Sequence, residues 1–418
     1  MKIAIIGPVA TIHIAQFLEA SPPENFPRGD AGAPFMATLI GELLRRGHEV
    51  VAITTGGLEA KPGVKPLSLH GPKFSFHCCP VRAHAVRWSH GRHGRLLDMY
   101  ADERRHLLSV LDREDPDLVH AHWTYESAMA ALSSGRPSLV TAHDDPIAVV
   151  RLSRSLFRLG RFFMALRVLR TAPRLTAVSS DLARRLGRLR RSPIDVITNP
   201  LTAHFIGVGV PRHMPEAGQE LRIVTILNGW VAWKNAASAI RAFADFRRHW
   251  PSATLHMFGY DYEAGGVAER WARSRGLDAG ITFAGSMTQA RLCAELQAAH
   301  VLLHPSKLES CGMAIAEAMS LGVPVIGGID SGAVAWMVGE AGLLVDVTSP
   351  KELTSALQAL CADPLHYHDF SIRALERVRE FSPSAVVDQY EKLYFDLLGS
   401  RARRPFAHSV SGPEVTSP

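Results

Sequence analysis

HVLLHPSKLESCGMAIAEAMSLGVPVIGG, residues 300–328, holds a strand, a loop, a helix and a second strand in one short run. The apolar HVLLH ends at Pro305-Ser306, where a strand must stop. MAIAEAMSL then carries helical spacing, and Gly322 and Pro324 close it, which predicts a helix from about Gly312 to Leu321. VPVIGG returns to an apolar run. A strand that feeds a helix N-terminus leaves unpaired amides and the positive end of the helix dipole at its carboxyl edge, where an anion such as a diphosphate is favoured. Glu309 precedes the helix, and Glu317 sits within it, about 7 Å along the axis from Gly312 at a rise of about 1.5 Å per residue. Two carboxylates so placed can accept hydrogen bonds from paired hydroxyls at the two ends of a nucleotide sugar. The plainer alternative is a helix-start acid followed by an ordinary surface acid.

The same alternation extends in both directions. KIAIIG (2–7), HEVVAITT (48–55), DLVHAH (117–122), SLVTAH (138–143), RLTAVS (174–179) and IDVIT (194–198) read as strands before the quoted stretch's own group. LRIVTILNG (221–229), ATLHMFG (253–259), ITFAG (281–285), HVLLHPS (300–306) and VPVIGG (323–328) repeat the pattern. Between 34 and 47, apolar residues at 36, 39, 40, 43 and 44, with Pro34 before and Gly47 after, predict an amphipathic helix. Near-continuous apolar strands alternating with helices imply parallel sheets covered on both faces. The expected fold class is α/β: two Rossmann-like doubly wound domains facing across a cleft. The first covers 1–204, a Gly- and Pro-rich linker covers 205–220, and the second covers 221–382. A helix at 383–399 is expected to pack back on the first domain, and 400–418 to form a flexible tail. Ligands in such sheets sit beyond the carboxyl ends of the strands.

The totals agree with this. A chain of 418 residues, 47% hydrophobic and 21% charged, can fill two soluble cores. Five cysteines with no disulfide or zinc spacing fit a reducing, cytoplasmic setting. Lys2 and a short apolar run open the chain, but Gly7-Pro8 interrupts it too early for a signal peptide. The net charge of +6 hides 38 Arg against 8 Lys, a bias that by itself says little about nucleic acid. Interleaved aromatics for a single-strand groove are missing, so no nucleic-acid partner is expected.

The motif H-P-S-x-x-E-S-x-G-M-x-x-x-E-A-M-x-x-G-x-P-V, spanning His304 to Val325, resembles the E-x(7)-E signature of retaining family-4 glycosyltransferases of the GT-B fold. The resemblance continues through GEAGLLVDVTSPKEL (339–353), GELLRRGHEV (41–50), DLVHAHW (117–123), TAHD (141–144), AVSSDLARRL (177–186) and VITNP (196–200). It implies that Glu309 contacts the donor sugar and Glu317 the ribose. It assigns the loop Ser310, Cys311, Gly312 and Met313, with Gly229 and Gly285, to donor binding. The family's G-R-x(4)-K pair neutralises the diphosphate. Here NGWVAWKN (228–235) keeps Lys234 but has Trp230 where the Arg is expected, with one residue fewer between. Lys234 is the only lysine between Lys73 and Lys307. His143 in TAHD matches a family His near the reacting centre. Gly29, Asp30 and Gly32 resemble the loop beside phosphate and acceptor, after an insertion at Ala10–Arg28.

Three further features invite a reading. His120 and His122 are taken to point to opposite faces of their strand, with at most one at the cleft and a structural role for either. His77, Cys78, Cys79, His84, His90 and His93 fit no metal pattern and are assigned to a polar surface loop, so no metal site is expected. In 151–170, Leu152, Leu156, Leu159, Phe163 and Leu166 form an apolar stripe, and Arg151, Arg154, Arg158 and Arg161 lie on another face. Such a helix faces either its own core or an anionic membrane.

The resemblance implies transfer of a sugar from a nucleoside diphosphate sugar to a hydroxyl acceptor with retention, and no cofactor beyond that donor. Glu309, Lys234 and His143 are its expected catalytic group. The alternatives are another GT-B sugar-nucleotide enzyme, such as an epimerase, and a non-catalytic binding protein of the same fold.

Overall fold

The computed structural model describes residues 1–402 except 62, 89–92, 154 and 217, with the side chains of 400–402 left aside. Its described residues form two sheets. The first contains β1 (Lys2–Ile6), β2 (Glu49–Glu59), β3 (Leu67–Gly71), β4 (Phe74–Val81), β5 (Leu118–His122), β6 (Ser138–Ala142), β7 (Arg174–Ala177) and β8 (Asp195–Val196). Its order is β3-β4-β2-β1-β5-β6-β7-β8, parallel except for β3 against β4. The second contains β9 (Leu221–Ile226), β10 (Ala253–Phe258), β11 (Ile281–Gly285), β12 (Val301–His304), β13 (Val325–Gly328) and β14 (Gly342–Val345). Its order is β11-β10-β9-β12-β13-β14, all parallel. Strand order reverses beside β1 in one sheet and beside β9 in the other, and there the crevices open.

Every residue of β5 and β6 is buried, as strands covered on both faces must be. The helix Phe35–Arg45 buries Met36, Leu39, Ile40 and Leu43 and stops before Gly47, whose φ of +87° suits the left-handed turn. The chain crosses between the sheets along 197–220 and again after the turn Val378–Phe381, and the crossings touch where Leu201 N–H donates to Phe381 O (2.9 Å). The last helix, Pro383–Ala402, lies on the first domain. Its Val386, Val387, Tyr390, Leu393 and Tyr394 share one core with Ile3, Ile5 and Val50. Glu391 anchors it further, accepting from Arg46 (2.5 Å) and lying 2.7 Å from His48. The helix thus takes in residues assigned to the tail from 400; residues 403–418 lie outside the described set.

Two assignments change. Residues 74–81 are a buried strand rather than a surface loop: His77, Cys78 and Cys79 are fully buried in β4. The polar His77 has its Nδ1 bonded to Ser68 at 2.7 Å, and the Glu114 carboxylate stands 3.2 Å from its Nε2 without a hydrogen bond. His84 is exposed, His93 pairs with Asp98 at 3.0 Å, and His90 lies outside the described residues. No group of His, Cys, Asp and Glu able to hold a metal occurs among the described residues.

The basic helix of 151–170 is two helices, Pro146–Ser153 and Leu156–Thr171, parted near Arg154, itself outside the described set. Met164, Ala165, Val168 and Leu169 make the core contact. The leucine stripe does not: Leu152, Leu156, Leu159 and Phe163 are exposed, and Leu166 is half-buried. No described helix is long and apolar enough to cross a membrane.

Candidate active site

On the second domain the chain leaves β12 through Pro305-Ser306 and reaches Glu309, whose backbone is held on both sides. Its N–H donates to Ser331 O (3.1 Å), and its O accepts from Ala333 N–H (2.9 Å). Gly332 makes this approach possible, since a Cβ there would sit 2.4 Å from Glu309 O. Segment 233–235 is laced to the same loop. Lys307 N–H donates to Trp233 O (2.8 Å), and the Asn235 amide donates to Pro305 O (3.1 Å) and Val347 O (2.7 Å). The lacing brings Lys234 Nζ to donate to Glu309 Oε1 at 2.6 Å, while His304 Nε2 lies 3.3 Å from the same oxygen. Burial alone would raise the Glu309 pKa, but the His304 imidazole and the Lys234 charge outweigh it and hold the carboxyl down to about 2.

The helix that follows is Met313–Met319, shorter than the expected Gly312–Leu321 because Ser320 to Gly322 turn away. Gly312 caps it at φ +87°. Ser310 and Cys311 also reach the facing domain, where Ser310 O accepts from Ser179 Oγ (2.7 Å) and Cys311 is buried against Thr198 (3.5 Å). Glu317 is 6% exposed, and burial pushes its carboxyl up to about 8 despite a bond with Gln289. It faces the helix Gln289–Gln297. Gly229 (φ +90°) and Gly285 (φ +69°) shape the turns at the ends of β9 and β11, close to Tyr260 and Glu263 respectively. Trp230 packs in a half-buried cluster with Trp271 (5.3 Å between rings) and Tyr262 (6.1 Å).

Across the cleft stands His143, just past β6, 8% exposed and stacked on Trp123 (4.1 Å) and Phe35 (5.4 Å). Its Nε2 lies 2.9 Å from His122 Nδ1, one ring donating to the other. His120 and His122 share a face of β5, their rings 4.2 Å apart. This corrects the opposite-face expectation: side chains alternate along a strand, so i and i+2 point the same way. His120 is a structural link, with Tyr394 OH 2.7 Å from its Nδ1 and Thr141 Oγ1 2.7 Å from its Nε2. Burial lowers all three imidazoles, His122 to about 3, so they are neutral at ordinary pH. Trp123 holds its place with φ +65°, a conformation that costs a non-glycine residue of order 1 kcal/mol.

Between the two sides lies a cavity of about 480 Å³, lined by His143, Trp123, Asn199, Glu309 and the loop Ser310–Met313. Glu309, His143, Ser310, Cys311, Gly312 and Met313 therefore meet at one space, and Lys234 touches it through Glu309. Gly29, Asp30 and Gly32 are brought beside the end of β1. Ala10 and Gly29 form a bridge that closes the 10–28 insertion, and Asp30 Oδ1 accepts from Gly32 N–H (2.9 Å). Sequence reasoning passed over Trp123, although an aromatic directly after a strand's carboxyl end is a usable signal.

The family model for glycosyl transferases group 1 matches residues 215–377, and that for glycosyltransferase family 4 matches 33–204. The chain belongs to the group 1 glycosyltransferases. The N-acetyl-alpha-D-glucosaminyl L-malate synthase of Bacillus anthracis is 26% identical over 388 residues, 88% of this chain and 94% of that protein. A D-inositol 3-phosphate glycosyltransferase of Corynebacterium glutamicum (strain R) is 34% identical over 130 residues, 31% of each chain. Among solved structures, sucrose-phosphate synthase from Thermosynechococcus elongatus superposes with a TM-score of 0.69 at 20% identity, covering 96% of this chain and 100% of that one. Anabaena HepE in complex with UDP and glucose gives 0.63 at 16%, covering 95% and 100%. At these identities the superpositions carry the GT-B fold, and the family models carry sugar transfer.

Proposed function

We propose that this glycosyltransferase moves a sugar from a nucleoside diphosphate sugar to a hydroxyl acceptor with retention at the anomeric carbon. The observation that carries the proposal is the Lys234–Glu309 pair, 2.6 Å apart at the rim of the 480 Å³ cavity and opposite His143. Glu309 stays ionised and accepts hydrogen bonds from donor hydroxyls. The Lys234 ammonium, bonded to Glu309 in the free protein, turns to the diphosphate as leaving-group charge develops. Glu317, neutral near pH 7, accepts and donates to a ribose. His143 is neutral with its Nε2 committed to His122, so it orients the donor and leaves the acceptor's proton to the departing diphosphate. The proton on the attacking oxygen moves to a phosphate oxygen as the new C–O bond forms and the old one breaks. Donor and acceptor are held in place rather than attacked by the protein, so proximity supplies much of the rate. No metal or further cofactor is invoked. Thermal-shift titration with uridine, guanosine and adenosine diphosphate sugars, in buffer containing EDTA, tests the donor class: one base should raise the melting temperature by mass action. Proton NMR of the product then reads the anomer, and an inverted product overturns retention.

Leu152, Leu156, Leu159 and Phe163 are exposed, and Leu96, which precedes the exposed Leu97, packs directly on Gly160 of the same helix as the last three; Val86, Trp88 and Met99 are exposed as well. Arg151, Arg167 and Arg170 are exposed along the same helices. We propose that this surface rests on an anionic bilayer at the cytoplasmic side, where five unpaired cysteines are stable. Flotation with vesicles containing phosphatidylglycerol should carry the protein, and Leu156→Asp with Phe163→Asp should release it. Equal flotation with purely zwitterionic vesicles, or none with either, overturns the contact.

A further inference from the structure

Behind Trp123 lies a second cavity of about 270 Å³, at the carboxyl ends of β1, β2 and β5 where the first sheet's order reverses. Gly7, Asp30, Thr54, His122, Glu126 and Arg161 help line it, and Trp123 forms a wall common to both cavities. Gly7 provides its floor: a Cβ there would lie 3.1 Å from His122 Cβ and 3.2 Å from Met36 Cε.

His122 is 1% exposed, and its Nδ1 is taken by His143, which leaves Nε2 as a buried nitrogen without a hydrogen-bond partner. A buried polar atom of this kind is costly unless something arrives to satisfy it. Both tautomers of the His122–His143 pair demand the same visitor. If His122 Nδ1 carries the proton, Nε2 is an acceptor; if His143 donates instead, Nε2 carries the proton and is a donor. A hydroxyl meets either need, whereas a carboxylate or phosphate meets only the second.

The charged groups point the same way. Arg161 lies 3.7 Å from Glu126 Oε2 and over the Tyr125 ring at 3.7 Å, so its charge is largely answered within the wall. Arg161 Nε and Glu126 Oε2 nevertheless have no hydrogen-bond partner and stand ready for neutral donors and acceptors. Asp30 at the mouth adds a negative charge, leaving no net positive field for an anion.

Resting on the sugar transfer proposed above, we infer that this cavity holds the acceptor as a neutral polyhydroxylated ring, one hydroxyl bonded to His122 Nε2, and that the Glu126–Arg161 pair rejects anionic acceptors. Arg161 is the latent anion site, and Glu126 keeps it closed. Trp123 borders both cavities, so a ring held here lies next to the donor space.

Saturation-transfer NMR on the full-length protein with saturating uridine diphosphate tests this, with glucose and myo-inositol as neutral probes and malate and glucose 6-phosphate as anionic ones. The neutral probes should bind and the anionic ones should not. His122→Phe, which keeps the ring and removes the nitrogens, should weaken the neutral probes at least tenfold. Glu126→Gln should produce binding of the anionic probes, a gain that a damaged fold cannot give. Absence of neutral binding, preference for the anionic probes in the unaltered protein, or no gain in Glu126→Gln overturns the inference. Nucleoside diphosphate affinity, titrated in parallel, reports on the donor site alone: its loss breaks the donor reading and leaves the acceptor cavity to be judged by the probes.

Discussion

The two sheets present unlike chemistry to one cleft. The second domain offers a charged pair, Lys234 and Glu309, each about one-fifth exposed or less. The first offers imidazoles that burial keeps neutral, His122 and His143, joined at 2.9 Å. The same topological position, the reversal point of a doubly wound sheet, thus serves opposite ends. In the proposed transfer, one side manages the charge of a leaving diphosphate, and the other fixes direction with hydrogen bonds and stacking and repels no neutral ring. A site divided this way can stabilise departing charge without drawing anions into the acceptor's place.

The comparison breaks most readily at Glu309. Glu309→Ala is expected to lower the transfer rate by about 100-fold or more with unchanged far-UV dichroism, as for loss of a principal transition-state contact; a rate within threefold of the unaltered enzyme removes Glu309 from the site. Lys234→Met should come next, at about tenfold or more in kcat/KM, and Lys234→Arg should not restore it, because the planar fork does not reproduce a compact ammonium bonded to one oxygen. Steady-state kinetics at varied donor concentration separate the two variants.

A third prediction concerns stability. Glu317 has a folded pKa of about 8 against an ordinary value of 4.5. Between those values the unfolded chain releases a proton that the folded chain keeps, so stability falls as pH rises, by about 1.4 kcal/mol per pH unit. Below pH 4.5 both states are protonated and above 8 both are ionised, so the slope disappears at either end. Glu317→Gln should therefore gain on the unaltered protein from pH 5 to 8 and match it at pH 4. Urea midpoints across that range measure it, and a constant difference contradicts the buried neutral acid. The smallest effect is expected from Gly312→Ala, about 1 kcal/mol of stability from the left-handed cap, with a larger loss in donor affinity if backbone and ligand approach closely there.

Much of this was legible in the sequence. Strand runs such as KIAIIG and LRIVTI have one interpretation when flanked by helical periods, and Glu309 announces itself by its place between a strand and a helix. Three things were not legible. β4 was hidden because FSFHCCPV mixes His and Cys with its apolar residues, and His77 is buried with its Nδ1 bonded to Ser68 and Glu114 nearby. The leucine stripe of 151–170 has helical spacing whether it faces core or solvent, and tertiary packing chose Met164, Ala165 and Val168 instead. The bond between Lys234 and Glu309 joins residues 75 positions apart, a distance that local patterns do not encode. The shared face of His120 and His122, by contrast, follows from the period of two along a strand and was available from the start.

The last helix carries a consequence for how the protein is made. Tyr390 and Tyr394 complete the core of the first domain, and Tyr394 bonds to His120, whose ring lies 4.2 Å from that of His122. A ribosome therefore finishes the second domain's strands before the first domain has all of its parts. Until residue 394 has emerged, the nascent first domain exposes an apolar groove along β1 and β2. His120 gains its Tyr394 partner only then, so the first domain is completed after the second domain's strands have been made.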